Sequence, residues 1–167
     1  MTIIIKNKDT LIFDEFIFRC CVGKMGFSKN KIEGDKKTPI GQFKLENLYF
    51  RKDRKRMPTT KLNTIEIKKN MGWCDDVNEK KNYNKLININ SKFKCEKLFR
   101  SDYKYDYFIP IKYNWINTKV GKGSAIFIHL TKNFKPTAGC IGLLEKDFLI
   151  LAKLIKKNTE IKILYAL

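Results

Sequence analysis

One segment alone, Glu145–Lys157, spaces its apolar residues as a helix requires. Phe148, Leu149, Leu151, Ala152, Leu154 and Ile155 recur at intervals of three and four and form a single apolar stripe. Glu145 and Asp147 in the first turn, with Lys156 and Lys157 in the last, complement the helix dipole. Elsewhere the apolar residues come in short runs rich in β-branched and aromatic side chains, bounded by glycine, proline, asparagine or charge. Such a chain must build its core from sheet. The expectation is a mainly β fold with one prominent amphipathic helix near the C-terminus.

Taken in order, Thr2–Ile5 and Leu11–Phe13 flank a polar turn and read as a hairpin. Phe16–Val22 follows with a period of two, which sets Cys20 and Cys21 on opposite faces. Gly34–Gly41 is loop by composition, and the Thr38-Pro39 step biases Thr38 away from helix. Phe43–Phe50, Leu62–Ile67 and Lys85–Ile89 read as further strands, and Glu96–Asp102 as a short helical or irregular piece. Gly72–Asp76 reads as a polar turn whose two carboxylates cap backbone amides. Tyr105–Tyr113 is an aromatic-rich strand in which Pro110 argues for an edge or a bulge. Tyr103, Tyr105, Tyr107, Tyr113 and Trp115 read as core first and as a substrate wall second. Ile161–Leu164 closes the chain as a strand.

With 167 residues the expectation is a single domain spanning 1–167, large enough for one good core. The net charge of +18 raises the possibility of a nucleic-acid partner. Yet only five of 35 basic residues are arginine, and the densest run, Arg51–Arg56, is broken by Asp53 and lacks interleaved aromatics. It reads as a solvated loop, with no specific nucleic-acid site. No apolar run approaches a membrane span, and the three isoleucines before Lys6 are too few for a signal sequence. The five cysteines match no zinc spacing and suit reduced thiols, so a cytoplasmic location is expected. A monomer without metal or organic cofactor is the simplest expectation.

Chemistry concentrates in Ala125–Leu143. The apolar run Ala125–Ile128 reads as a strand delivering His129, the sole histidine, and Gly139 permits a tight turn before Cys140. Imidazole can take a proton from a thiol, which is mostly protonated at neutral pH, so the two form a nucleophile–base candidate. Alone, a single histidine is more often structural and cysteine is among the most buried residue types. Cys74 is a rival nucleophile in principle, without a histidine nearby in sequence.

Several ordered motifs add to that pair. Gly34-Asp35-Lys36-Lys37-Thr38-Pro39-Ile40-Gly41-Gln42-Phe43 and the His129 strand followed by Thr137-Ala138-Gly139-Cys140 resemble the L,D-transpeptidase (YkuD) family. Gly72–Asp76, Tyr83-Asn84 and Gly121–Phe127 resemble a particular branch of it. The resemblance implies a sandwich-like β-barrel and a cysteine acyltransferase acting on peptidoglycan stem peptides through a thioacyl-enzyme. It thereby implies a role in the cell wall and cell shape, and a cell-envelope location as the alternative to the cytoplasm. Cys140 would be the nucleophile, His129 the base, and the Gly139 and Cys140 amides the oxyanion donors. Two positions depart from the better-known pattern: Ala138 stands for a second histidine and Gly142 for an arginine. Arg100 first and Arg54 second are therefore the expected carboxylate-binding residues, with Thr137 and Ser124 completing the substrate contacts. The alternatives are an L,D-carboxypeptidase or amidase-type hydrolase, and a non-catalytic basic wall-binding domain.

Overall fold

A computed structural model describes residues 1–89 and 92–164. Its elements are β1 (Thr2–Ile5), β2 (Thr10–Phe13), β3 (Phe16–Cys21), β4 (Phe27–Ser28), β5 (Thr38–Pro39), β6 (Gly41–Lys44), β7 (Leu48–Phe50), β8 (Thr64–Glu66), β9 (Met71–Cys74), β10 (Leu86–Asn88), β11 (Cys95–Lys97), β12 (Tyr107–Pro110), β13 (Phe127–Leu130), β14 (Ile141–Leu143), α1 (Glu145–Leu154) and β15 (Glu160–Ile163). The fold is mainly β, as expected. Ten strands make one sheet in the order β6-β15-β1-β2-β3-β14-β13-β12-β7-β8. The chain leaves β6 on one side of this sheet and enters β7 near the other. Glu46 N–H donates to Pro110 C=O at 2.9 Å and Lys112 N–H to Lys44 C=O at 2.9 Å. These bonds curl the sheet into a half-barrel, which hides strand edges that would otherwise be free to pair.

The curl encloses the main core. Ile3, Ile5, Leu11 and Phe13 alternate inward, and Phe148, Leu151 and Ala152 of α1 close over them. The helix ends at Leu154, three residues before the expected boundary. Ile155 turns extended and is fully buried, so the apolar stripe continues beyond the helix that predicted it. Lys156 and Lys157 thus lie past the helix, and Lys153 is the base of its last turn.

A second apolar cluster occupies the other face of β13. Ile128 and Leu130 point into the main core, whereas Phe127 joins Trp73, Tyr105, Phe108 and Cys140. Alternation along the strand sends His129 to the same side as Phe127. A three-stranded sheet, β10-β9-β11, covers this cluster through Trp73, whose indole lies edge-on to Phe127 at 5.2 Å.

Several expectations require correction. Gly72–Cys74 is not a turn but part of the central strand β9; its glycine permits the close approach of Ile89 and Cys95, 2.5 and 2.8 Å from where a Cβ would stand. The expected Phe43–Phe50 strand is two, because the chain changes partner from β15 to β12 at Leu45–Asn47. β12 is interior rather than an edge, and Pro110 is tolerated because it is the strand's last residue. Of Glu96–Asp102, expected to be helical or irregular, the first two residues belong to the strand Cys95–Lys97 and the rest is irregular. No helix among the described residues is long and apolar enough to cross a membrane.

Phe148 is 0% exposed and stacks on Tyr107 at 5.9 Å, so it couples α1 to β12. Phe148→Ala is expected to lower unfolding free energy by about 3–5 kcal/mol, read as a fall in urea midpoint at unchanged slope.

Candidate active site

The turn that carries Cys140 is held from below by the Gly34–Gly41 loop. Thr38, fully buried, donates its hydroxyl to Gly139 C=O at 2.8 Å and accepts Gly23 N–H at 2.9 Å. Gly139 has φ 137°, and a Cβ there would stand 2.8 Å from Lys37 C=O, so this contact requires glycine. Asp35 braces the loop by accepting Lys31 Nζ, Ile32 N–H and Lys37 N–H. Thr137 closes the turn: its hydroxyl donates to Cys140 C=O at 2.6 Å and accepts Gly139 N–H at 3.1 Å.

β13 and β14 run parallel, with His129 opposite Gly142, so Cys140 lies two residues before the partner of the histidine. The thiol is 8% exposed; it donates to Ala125 C=O at 3.2 Å and receives Phe127 N–H at 3.4 Å. His129 is 6% exposed, and its Nδ1 lies 2.9 Å from Leu130 C=O. A carbonyl only accepts, so Nδ1 carries the proton and Nε2 presents a lone pair. No hydrogen bond joins thiol and imidazole in this resting arrangement.

Burial sets the charge state of both groups. It pushes the Cys140 thiol up to about 12, helped by the Glu96 carboxylate and opposed by Phe127 N–H. Burial likewise pulls His129 down to about 4; the hydrogen bond to Leu130 opposes this and the Lys104 and Arg100 charges reinforce it. Near neutrality the pair is therefore a thiol and a neutral imidazole, in which His129 can accept a proton and Cys140 can lose one.

Both groups open into a cavity of about 650 Å³. Of the residues expected to bind substrate, Ser124, Thr137 and Arg100 line it and Arg54 does not. Arg54 is corrected by its partners: its guanidinium bonds Asp106 Oδ1 at 3.1 Å and the Asp102 and Ser101 carbonyls at 2.9 Å each. Arg100 is engaged with both carboxylate oxygens of Asp102, at 2.9 and 2.6 Å. Ser124 donates its hydroxyl to Glu33 at 2.7 Å. Of the two expected oxyanion donors, Gly139 N–H is already given to Thr137, while Cys140 N–H has no acceptor among the described residues. The Arg51–Arg56 run is not simply solvated either. Arg51 is 2% exposed, grips Asp53, donates to Arg100 C=O and covers the Phe99 ring at 3.4 Å.

Sequence reasoning passed over Glu96, Lys104 and Lys31, which also line the cavity. Glu96 accepts the Tyr105 hydroxyl, and Tyr105 in turn lies edge-on to His129 at 5.6 Å. Nothing in the local sequence distinguishes these from surface charges; only pairing of β11 with β9 brings Glu96 inward. Asp76 caps Asn78 N–H and Lys94 N–H as expected, but Asp75 Oδ1 is buried without a hydrogen-bond partner among the described residues. Cys74 is fully buried outside the cavity. Among the described residues no three His, Cys, Asp or Glu gather to hold a metal ion.

A buried thiol and a carbonyl-oriented imidazole in a curled β fold define a cysteine–histidine site, and the sequence agrees with that class. The L,D-transpeptidase catalytic domain (YkuD) profile matches residues 1–163, and the chain belongs to this peptidoglycan-modifying family. No curated protein sequence matches it significantly. Among solved structures it is similar to the helical cell shape determining protein Pgp2 from Campylobacter jejuni, with a TM-score of 0.52 and 18% identity. The alignment covers 97% of this chain and 46% of Pgp2, so the chain spans about half of that protein's length.

A thiol pushed up to about 12 and an imidazole pulled down to about 4 do not form an ion pair at rest. Alkylation of Cys140 by iodoacetamide, followed by peptide mass mapping, is expected to rise about tenfold per pH unit between about pH 6 and 9. A plateau reached below pH 7 would instead reveal a preformed thiolate–imidazolium pair.

Proposed function

We propose that this chain is a cysteine acyl-transfer enzyme acting on peptidoglycan stem peptides. The observation that supports this most is the free lone pair of His129 Nε2 in the same cavity as the Cys140 thiol. In the proposed reaction His129 Nε2 takes the thiol proton as Sγ attacks the peptide carbonyl. Negative charge develops on the carbonyl oxygen, where Cys140 N–H is the available donor; Gly139 N–H joins when its bond to Thr137 opens. The tetrahedral species then collapses. The C–N bond breaks, the His129 proton passes to the departing amine, and a thioester remains on Cys140. An amine from a second stem, or water, takes the acyl group and restores the thiol.

Leu130 C=O does for His129 what a carboxylate does in other nucleophile–base sites: it fixes the tautomer and the ring orientation. A neutral carbonyl gives less stabilisation to an imidazolium than a carboxylate would. The proton is then held only transiently, which suits a base that must return it to the leaving group. We also propose that Thr137-Ala138-Gly139-Cys140 marks a branch of the family. There Thr137 braces the turn and Ala138 leaves the cavity rim open. The fold shared with Pgp2, a protein named for determining helical cell shape, suggests a role for this chain in cell shape as well.

Incubation with a tetrapeptide stem or a carbapenem is expected to add one acyl mass to the wild-type protein, mapped to Cys140. Cys140→Ala should add none, and His129→Ala should acylate about 10²–10⁴-fold more slowly. Acylation persisting in Cys140→Ala would sink the assignment. Product analysis with and without an added amine separates transfer from hydrolysis.

A further inference from the structure

Cys74 and Cys95 stand directly opposite each other in the ladder between β9 and β11. Directly opposed residues of an antiparallel pair send their side chains to the same face. The Cys95 thiol agrees with that register. Its Sγ stands 2.8 Å from where a Gly72 Cβ would be, and Gly72 shares a face of β9 with Cys74. None of the other three cysteines faces a cysteine across a ladder among the described residues. Cys20 and Cys21 are neighbours on β3, with Cys20 in the main core and Cys21 opposite Gly142, and Cys140 opens into the cavity. All five are free thiols.

The ladder also sets how close the two backbones come. Cys74 directs both of its backbone groups to the β10 side: its N–H donates to Lys85 C=O at 2.9 Å, and its C=O accepts Asn84 N–H at 2.8 Å. On the β11 side Leu98 N–H donates to Met71 C=O at 3.1 Å, which marks Met71–Leu98 as a bonded pair. Bonded and non-bonded pairs alternate along an antiparallel ladder, so Cys74–Cys95 is a non-bonded pair. Such pairs have the narrower spacing, with Cα atoms about 4.5 Å apart, and a disulfide spans Cα separations of about 4.4–6.8 Å. The backbone is already spaced for that bond.

Cys74 is fully buried and Cys95 half-buried, so an incoming reagent meets Cys95 first. Burial raises both thiols above their ordinary range. Asp76 N–H opposes this at Cys74, whereas the carboxylates of Asp76, Glu79 and Asp75 add to it there and that of Asp75 adds to it at Cys95. Both thiols therefore stay protonated near neutrality, and exchange is slow. Neither cysteine lines the cavity, but their chain neighbours do: Asp75 follows Cys74, and Lys94 and Glu96 flank Cys95. In its sheet β11 pairs with β9 alone. A covalent tie between these two strands fixes that wall of the cavity without touching Cys140 or His129.

We propose that Cys74 and Cys95 are a disulfide-forming site, closed by exchange with a small-molecule or protein disulfide in an oxidising compartment, and that the bond pins the cavity wall bearing Asp75 and Glu96. Cys95 Sγ, as thiolate, attacks one sulfur of the incoming disulfide and releases its first thiol. Cys74 Sγ then attacks Cys95 Sγ and releases the second. The two cysteines give up two protons and two electrons, and the incoming disulfide takes both and leaves as two thiols. Wild-type protein is incubated with excess oxidised glutathione in mildly alkaline buffer, quenched with acid, denatured, alkylated and mapped by mass without reduction. The expected product is a peptide pair joined through Cys74 and Cys95, with Cys20, Cys21 and Cys140 alkylated. Oxidation should raise the melting temperature by about 5–10 °C, and dithiothreitol should reverse the rise. Amide exchange in Met71–Cys74 and Cys95–Lys97 should slow about tenfold or more, with exchange in β1 unchanged. Cys140→Ala should give the same cross-link and the same shift, and Cys95→Ala should lose both. Glutathione retained on Cys95 with Cys74 still free, a bond to any other cysteine, or no cross-link overturns the site. A Cys74–Cys95 cross-link that leaves melting and exchange unchanged overturns its role in pinning the wall.

Discussion

The parallel pairing of β13 with β14 is the constraint on which the site depends. Parallel neighbours cannot be joined by a tight hairpin, so the chain must leave at Thr131 and return at Cys140 by a longer connection. That connection needs support, and the Thr38 loop supplies it through Gly139. The sheet registers His129, the loop registers Cys140, and the two meet because both are tied to β13. Removing the Thr38 hydroxyl would leave Gly139 C=O and Gly23 N–H without their partner and free the Cys140 turn from its support.

Desolvation, more than any pair of charges, governs the resting site. The second apolar cluster, with Phe127, Tyr105 and Trp73, takes water away from Cys140 and His129 alike. Removing water opposes charge on both, so the thiol rises and the imidazole falls. In the proposed reaction a developing oxyanion and imidazolium would stabilise each other in the same dry volume. The free protein thus avoids the cost of burying an ion pair.

The helix and most strands were legible because each rests on local pattern, whereas the sharing of one cavity by His129 and Cys140 follows from the pairing of β13 with β14. Alternation in Thr2–Ile5 and Leu11–Phe13 is the burial pattern those strands show. β9 was illegible because Gly72 and Asp75-Asp76 carry turn chemistry, while Trp73 and Cys74 belong to a strand made by pairing with residues far along the chain. Arg51 and Arg54 were misread for the same reason. Their partners, Arg100 C=O, Asp102 C=O and Asp106, lie nearly fifty residues or more away and are invisible to spacing. Charge composition announced exposure; tertiary contacts made these arginines structural.

Gly142 shows how one close contact redistributes function across the fold. Its partner across the ladder is Cys21, whose Sγ stands 2.6 Å from the position a Cβ would take, with Thr131 Cβ at 3.2 Å. A long cationic side chain on β14 would have to displace a buried thiol from β3, the strand that joins β14 to the rest of the sheet. A cation facing the cavity is therefore accommodated more readily from outside the sheet, as Arg100 and Lys104 are. The segment 98–106 is suited to this because Arg51, Arg54 and Arg100 all fasten it, two by bonding its carbonyls and one by gripping Asp102. Guanidinium groups with several fixed donors hold irregular backbone better than a single ammonium can. The arginines thus hold the platform that forms one wall of the cavity.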